Sequence, residues 1–89
     1  MQTRGIEIVH KWGLHPRASS KLVQLANGFK SEILIDKNGR KANAKSIMSL
    51  MMLAAAKGNP IIVSCNGEDE VDALEKICQL FADKFNENE

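Results

Sequence analysis

The sequence Ser-Glu-Ile-Leu-Ile-Asp-Lys-Asn-Gly-Arg-Lys-Ala-Asn, residues 31–43, places an Asn-Gly pair between two extended runs. Asn-Gly is a strong short-range signal for a tight hairpin, because both residues accept the positive φ angles that such a turn requires. We therefore predict adjacent antiparallel strands at residues 31–36 and 40–43. A hairpin in the middle of the chain favours a mostly antiparallel sheet.

Strand and helix patterns extend outward from this hairpin in both directions. Residues 6–9 alternate like a half-buried strand, and residues 61–65 form a β-branched strand. Helical spacing predicts helices over residues 16–27, 46–56 and 71–85, with Asn27 and Gly28 as a left-handed end to the first. The order β-α-β-β-α-β-α predicts an α+β fold with its helices on one face of the sheet.

The length and composition predict one small globular domain. The chain has 89 residues, of which 44% are hydrophobic and 26% charged, and residues 1–89 form that domain. No apolar run reaches the ~20 residues of a membrane span, and residues 1–5 lack the apolar core of a signal peptide. We expect a cytoplasmic protein whose Cys65 and Cys78 are buried structural thiols.

Charge is distributed unevenly along the chain. Residues 1–57 carry ten Lys and Arg against three acidic residues, whereas residues 58–89 carry two against eight. Partners that bind the basic part are therefore expected to be acidic proteins or phosphate groups. A nucleic acid is a further acidic candidate, but the chain has no dense basic run and no aromatic platform for stacking bases, so we expect no nucleic-acid binding.

The segment Gly-Leu-His-Pro-Arg-Ala-Ser, residues 13–19, has the features of a phosphoryl site. Pro16 suits the first position of a helix, which leaves His15 at the N-cap. Free N–H groups and about half a positive charge at a helix N-terminus would stabilise a dianion on the imidazole. Arg17 adds a planar cation beside it.

The predicted second helix has apolar residues around most of its circumference. At about 100° per residue, Leu50, Leu53 and Ala54 cluster on one side. A short helix on a one-sided sheet cannot bury all its apolar residues, so the others are expected to form an adaptable docking patch. That patch consists of Ile47, Met48, Met51 and Met52. Alternatively, Met51 or Met52 fills a gap in the core.

Two motifs and the element order together resemble the HPr family, the histidine-containing phosphocarriers of the bacterial phosphoenolpyruvate-dependent phosphotransferase system. The motifs are Gly-Leu-His-x-Arg at residues 13–17 and Lys-Ser-Ile-Met at residues 45–48. The resemblance spans nearly the whole chain. It implies an open-faced β-sandwich, in which four antiparallel strands pack under three helices.

This chain departs from the family pattern at one place. The family usually has Gly-Leu-His-Ala-Arg-Pro-Ala, whereas here proline is at position 16 and alanine at position 18. Because proline has no N–H, phosphate contacts are expected from the backbone N–H groups of Arg17 and Ala18.

The resemblance also implies roles for individual residues. His15 would accept a phosphoryl group at Nδ1 from phosphorylated enzyme I and pass it to IIA-type proteins in sugar transport, while Arg17 neutralises the phosphoryl oxygens. Ser46, the expected N-cap of the second helix, matches the serine that HPr kinase/phosphorylase modifies. We expect a monomer that turns over only with partner enzymes, and no motif indicates a metal or organic cofactor.

One alternative function stays open at this point. The chain could be a regulatory binding module whose phosphorylation at His15 or Ser46 is recognised by other proteins, with sugar transport not its main output. His10 lies at the end of a strand without a companion motif, so we predict a structural or solvated role for it.

Overall fold

The computed structural model describes residues 1–87, which form four strands and three helices. The strands are β1 (Gln2–Glu7), β2 (Glu32–Lys37), β3 (Arg40–Asn43) and β4 (Pro60–Asn66), and the helices are α1 (Pro16–Ala26), α2 (Ile47–Leu53) and α3 (Glu70–Ala82). One further turn, Lys84–Asn86, follows α3. The predicted order β-α-β-β-α-β-α is confirmed.

All strand pairs in the sheet are antiparallel, and the order across the sheet is β1-β4-β2-β3. Asn38 and Gly39 form the tight turn between β2 and β3, with φ angles of 52° and 84°. In the resulting register, Ile35 of β2 pairs with Ala42 of β3 and with Val63 of β4. The hairpin therefore places the short strand β3 at one edge, and β1 occupies the other.

The core lies on one face of this sheet. Burial alternates along the central strands, where Ile33 and Ile35 of β2 and Val63 of β4 are fully buried. Ile62, between two buried neighbours, is 48% exposed on the opposite face. Each buried Ile, Leu or Phe side chain contributes about 1.5–3 kcal/mol, so this one-sided alternation fixes which face the helices cover.

Element ends differ from the predictions where the backbone takes an unexpected conformation. α2 ends at Leu53 and not near residue 56, because Ala54 is left-handed at φ 53° and lies exposed beyond the helix. The left-handed stop predicted at Asn27 and Gly28 is wrong: Asn27 has φ −66°, and Gly28 has no positive φ. β1 also begins at Gln2 and ends at Glu7, earlier than predicted.

The end of α3 carries the difference that matters most for the site. The predicted helix included Phe85, but α3 ends at Ala82. The turn that follows has φ angles of 53°, 58° and 60° at Lys84, Phe85 and Asn86. Phe85 is nevertheless fully buried and packs edge-on against Phe81, with ring centroids 5.1 Å apart. The chain therefore turns back at residue 84 and returns towards the start of α1.

Both cysteines are free and buried, as predicted. Burial and the neighbouring Cys78 thiol raise the pKa of Cys65 to about 11. Both thiols therefore stay protonated and pack as small apolar groups. Within residues 1–87, none of the helices has the length and apolar character needed to cross a membrane.

Candidate functional site

His15 lies at the N-cap of α1, as predicted, with extended backbone angles (φ −71°, ψ 171°) and Pro16 next to it. Its Nδ1 accepts a hydrogen bond from the backbone N–H of Ala18 at 3.4 Å. The imidazole thus occupies the position that Ser, Thr, Asn or Asp takes at other helix starts. One ring nitrogen is held over the positive end of the helix dipole.

Glu87 joins this site from the other end of the chain. Its Oε1 lies 3.0 Å from His15 Nε2 and also 3.0 Å from His10 Nε2. The carboxylate is 10% exposed, and the His10 side chain is 1% exposed. One carboxylate oxygen therefore links two imidazoles, and His10 has a companion that the sequence did not indicate.

The hydrogen bonds determine where the ring protons lie. His10 Nδ1 accepts from the backbone N–H of Trp12 at 3.1 Å, just as His15 Nδ1 accepts from Ala18. A neutral imidazole that accepts at Nδ1 carries its proton at Nε2. Both rings therefore donate Nε2–H to Glu87, and His15 keeps its lone pair at Nδ1.

Aromatic contacts hold the two imidazoles in place. The centroids of His10 and His15 are 4.9 Å apart, and Trp12 packs edge-on against His15 at 5.7 Å. Phe85 also packs against His10, with ring centroids 5.9 Å apart. Because Trp12 is 64% exposed, its ring forms part of the rim of the site and is accessible to a partner.

Two cations lie on the outer side of the Glu87 carboxylate. Its Oε2 is 3.5 Å from Lys21 Nζ and 3.7 Å from Arg17 Nε, so these are ion pairs and not short hydrogen bonds. Burial raises the pKa of the Glu87 carboxyl, but Lys21 and His15 outweigh this effect, and its pKa lies below the usual value. Glu87 is therefore ionised near neutral pH, while Arg17 is 77% exposed and accessible to an incoming anion.

His10, His15 and Glu87 also form a cluster whose potential metal-ligating atoms all lie within 4.8 Å of one another. A metal-bound histidine offers a lone pair to the ion and donates its other N–H to an acceptor. Here the Nδ1 atoms accept N–H groups, and the Nε2 atoms carry the protons. The hydrogen bonds fit a carboxylate shared by two donors better than they fit a metal ion.

Ser46 is the N-cap of α2, as predicted. Its Oγ accepts a hydrogen bond from the backbone N–H of Ser49 at 3.2 Å, and its backbone is extended. The side chain is half-buried. A hydroxyl at this place lies near free N–H groups, as His15 does at α1.

The apolar patch of α2 is exposed where the sequence predicted it. Ile47 and Met51 are 45% and 40% exposed, and Met48 and Met52 are 71% and 65% exposed. Leu50 and Leu53 point into the core. The alternative that Met51 or Met52 fills a core gap is therefore wrong.

The sequence of this chain is similar to those of known proteins. The family model described as "PTS HPr component phosphorylation site" matches residues 2–83 of the chain. The chain belongs to the HPr family. Phosphocarrier protein HPr of Neisseria meningitidis serogroup B is 48% identical to it over 89 residues, which is 100% of both chains.

Solved structures of the HPr family support the same conclusion. The crystal structure of HPr-C-His from Thermoanaerobacter tengcongensis has a TM-score of 0.95 and 40% identity, with 100% of each chain covered. The crystal structure of Crh from Bacillus subtilis has a TM-score of 0.76 and 40% identity, covering 94% of this chain and 97% of that one. The resemblance and the open-faced sheet expected from it are confirmed.

Three residues of the site were missed at the level of sequence. Glu87 lies 72 positions from His15, and no local motif marks it. His10 was predicted to be structural or solvated; its ring is buried, and only the fold brings it against that of His15. Trp12 belongs to neither of the two motifs that the sequence contains.

Proposed function

We propose that this chain is a phosphocarrier of the phosphotransferase system, which accepts a phosphoryl group on His15 from phosphorylated enzyme I and passes it to IIA-type proteins in sugar transport. Membership of the HPr family supports the carrier role. The observation that carries the residue assignment is the lone pair of His15 Nδ1, held at the N-terminus of α1. Free buried thiols are consistent with a cytoplasmic location.

The reaction needs no group beyond those of the two proteins. The Nδ1 lone pair of His15 attacks phosphorus, the phosphorus–nitrogen bond of the donor histidine breaks, and its electron pair returns to the donor nitrogen. The proton on His15 Nε2 stays in place. Positioning and charge stabilisation supply most of the catalysis in such transfers.

Two groups next to Nδ1 are suited to the phosphoryl oxygens. The Ala18 N–H now donates to Nδ1, so a new phosphorus–nitrogen bond there releases this donor for an oxygen of the phosphoryl group. Arg17 carries its guanidinium at the same helix start, largely in solvent. Pro16 contributes no N–H, which leaves the backbone donors at positions 17 and 18 for this task.

Partner proteins would dock on the patch of Ile47, Met48, Met51 and Met52. A carrier must bind a donor and several unrelated acceptors, and flexible methionine side chains adapt to different surfaces. Their exposure supports this role, because Met48 is 71% and Met52 65% accessible to a partner.

Ser46 gives the second candidate function, that of a regulatory module. A phosphate on its hydroxyl would lie at the N-terminus of α2 and place a dianion beside the proposed docking patch. HPr kinase/phosphorylase is the enzyme expected to add it. Crh of Bacillus subtilis is a catabolite repression protein whose crystal structure shows a domain-swapped dimer. We propose that the present chain acts as a monomer.

Onward transfer separates the two candidates. The purified chain is incubated with enzyme I and labelled phosphoenolpyruvate, and a panel of IIA proteins is then added. Transfer of the label from His15 to at least one IIA protein supports sugar transport as the output. Labelling without transfer to any IIA protein contradicts that role and favours the regulatory module.

A further inference from the structure

The carboxylate of Glu87 is a buried charged group with two histidine partners, and the reaction described so far does not use it. It approaches the His15 ring at Nε2, on the side away from the nitrogen that would bind phosphorus. A carboxylate in this position touches no reacting atom. It can act only through the ring that it holds.

The chain holds Glu87 there with specific contacts. Three consecutive left-handed residues cost free energy, and such a turn persists only where the surroundings fix it. Phe85 provides one anchor, because its ring is fully buried against Phe81 and His10. Lys21 provides another: its Nζ donates to Phe85 O at 2.8 Å and pairs with the Glu87 carboxylate at 3.5 Å.

Phosphoryl transfer to His15 would develop a charge that this carboxylate can stabilise. Attack through Nδ1 by a ring protonated at Nε2 leaves a positive charge on the phosphorylated imidazole. A carboxylate 3.0 Å from Nε2 stabilises that charge and, before the reaction, fixes the ring in the tautomer with a free Nδ1. Because this interaction becomes stronger as positive charge develops on the imidazole, it stabilises the transition state more than the ground state and accelerates the transfer.

We propose that Glu87 is a positioning residue for phosphoryl transfer: it orients His15 through Nε2–H and stabilises the imidazolium that forms when Nδ1 accepts the phosphoryl group. This inference rests on the proposed function of His15. His10 is the second donor to the same carboxylate oxygen, and its buried ring holds the carboxylate in line with His15. Residues 84–87 thus belong to the proposed active site although they lie far from the motif in the sequence.

Two variants of Glu87 separate orientation from charge. Glu87→Gln keeps an oxygen acceptor but removes the negative charge, and Glu87→Ala removes both. Glu75→Gln, an exposed acidic position on α3, is the matched control for loss of one charge. The first measurement is made without phosphate: the Nε2–H signals of His10 and His15 in proton NMR of selectively labelled full-length protein, where a hydrogen-bonded ring proton exchanges slowly with water.

We expect both Nε2–H signals in the wild type and in Glu75→Gln, and loss of both in Glu87→Ala. The second measurement is the initial rate of phosphoryl uptake from enzyme I as enzyme I concentration is varied. Glu87→Gln should lower the maximal rate about tenfold with little change in the half-saturating concentration, because the charge acts on the transition state and not on docking. Glu87→Ala should lower it at least as much.

The outcomes keep the two claims apart. If the wild type accepts phosphate and both Glu87 variants match its rate, the positioning role is refuted while the carrier function stands. Persistence of the His15 Nε2–H signal in Glu87→Ala also refutes it. If no form accepts phosphate, the wild type included, the proposed function fails and the inference fails with it.

Discussion

The N-termini of α1 and α2 share one backbone design and differ in what surrounds them. In each, an N-cap side chain accepts the N–H three residues ahead: His15 from Ala18, and Ser46 from Ser49. The neighbours of His15 include ionic groups: the Glu87 carboxylate contacts its ring, and Arg17 pairs with that carboxylate. Next to Ser46 the exposed neighbours are Ile47 and Met48, and the first turn of α2 has no acidic residue.

This difference shows how one local structure supports two kinds of chemistry. A helix N-terminus offers donors and partial positive charge wherever it occurs. At α1 the cap is an imidazole with a free Nδ1 lone pair, and in the proposed function this nitrogen is the nucleophile and the nearby N–H groups bind phosphoryl oxygens. At α2 the cap is a hydroxyl beside an exposed apolar surface, which in the proposed function binds partner proteins.

Gly13, two residues before His15, packs against the chain just beyond the C-terminal end of α2, and its replacement should have the largest effect on stability. Its φ is +61°, and a Cβ there would collide with the backbone of Ala55 and Ala56, just beyond α2. We expect Gly13→Ala to lower the free energy of unfolding by about 2–4 kcal/mol. The matched control is Gly39→Ala, at φ +84° with no atom within 4 Å of the added Cβ, which should cost about 1 kcal/mol. Urea unfolding of both variants decides it: equal costs would mean that the contact with the end of α2 is unimportant.

Arg17→Ala tests the ionic surroundings of the first N-terminus. The guanidinium is exposed, so its loss should affect stability little, while the phosphoryl oxygens lose a cation. We expect phosphoryl uptake to slow about ten- to hundredfold. Lys41→Ala, at an exposed basic position on the edge strand β3, serves as the charge-matched control in the same rate assay. A rate equal to that of the control would make Arg17 a surface residue only.

Replacement of the two most exposed methionines tests the apolar surroundings of the second N-terminus. Met48→Ser with Met52→Ser should weaken binding to enzyme I about tenfold, because the side chains that cover the interface are shortened. Ile62→Ser removes a comparable exposed side chain from the opposite face of the sheet and should leave binding unchanged. Titration calorimetry compares the two, and equal losses would show that α2 is not the docking surface.

Ser46 should give a smaller change in stability than Gly13. Ser46→Ala removes the cap of α2 and should cost about 1 kcal/mol of unfolding free energy. Ser46→Asp keeps an acceptor for the Ser49 N–H, so its stability should stay near that of the wild type while a negative charge weakens binding to enzyme I. Denaturation and calorimetry on both variants check this, and unchanged binding in Ser46→Asp would confine Ser46 to capping.

Acid should weaken the contacts that the Glu87 carboxylate makes at the N-terminus of α1, because the carboxylate becomes protonated. The pKa of Glu87 is lowered in the fold by Lys21 and His15, in spite of burial. Its contribution to stability is therefore present above the carboxyl pKa of the unfolded chain, about 4.3, and is lost as the pH falls through the lower folded value. Wild type and Glu87→Gln should differ in urea unfolding at pH 7 and converge at pH 2–3; a constant difference would contradict the ion pairing.

The sequence predicted the parts of this site that local patterns encode. Pro16 marked the start of a helix, His15 its cap, and Asn38-Gly39 the hairpin, because each depends on neighbouring residues alone. The return of residues 84–87 could not be predicted, since helical spacing continued to Phe85 and no composition rule indicates three left-handed residues. Glu87 meets His10 and His15 only through tertiary packing.

The most direct test of the account is the position of the phosphate on the protein after reaction with phosphoenolpyruvate and enzyme I. The adduct is examined for lability in acid and stability in base, and ³¹P and ¹⁵N NMR assign the ring nitrogen, with His15→Ala alongside. We expect one acid-labile phosphate on His15 Nδ1 and none in the variant. Phosphate on Nε2, or equal labelling of His15→Ala, would contradict it.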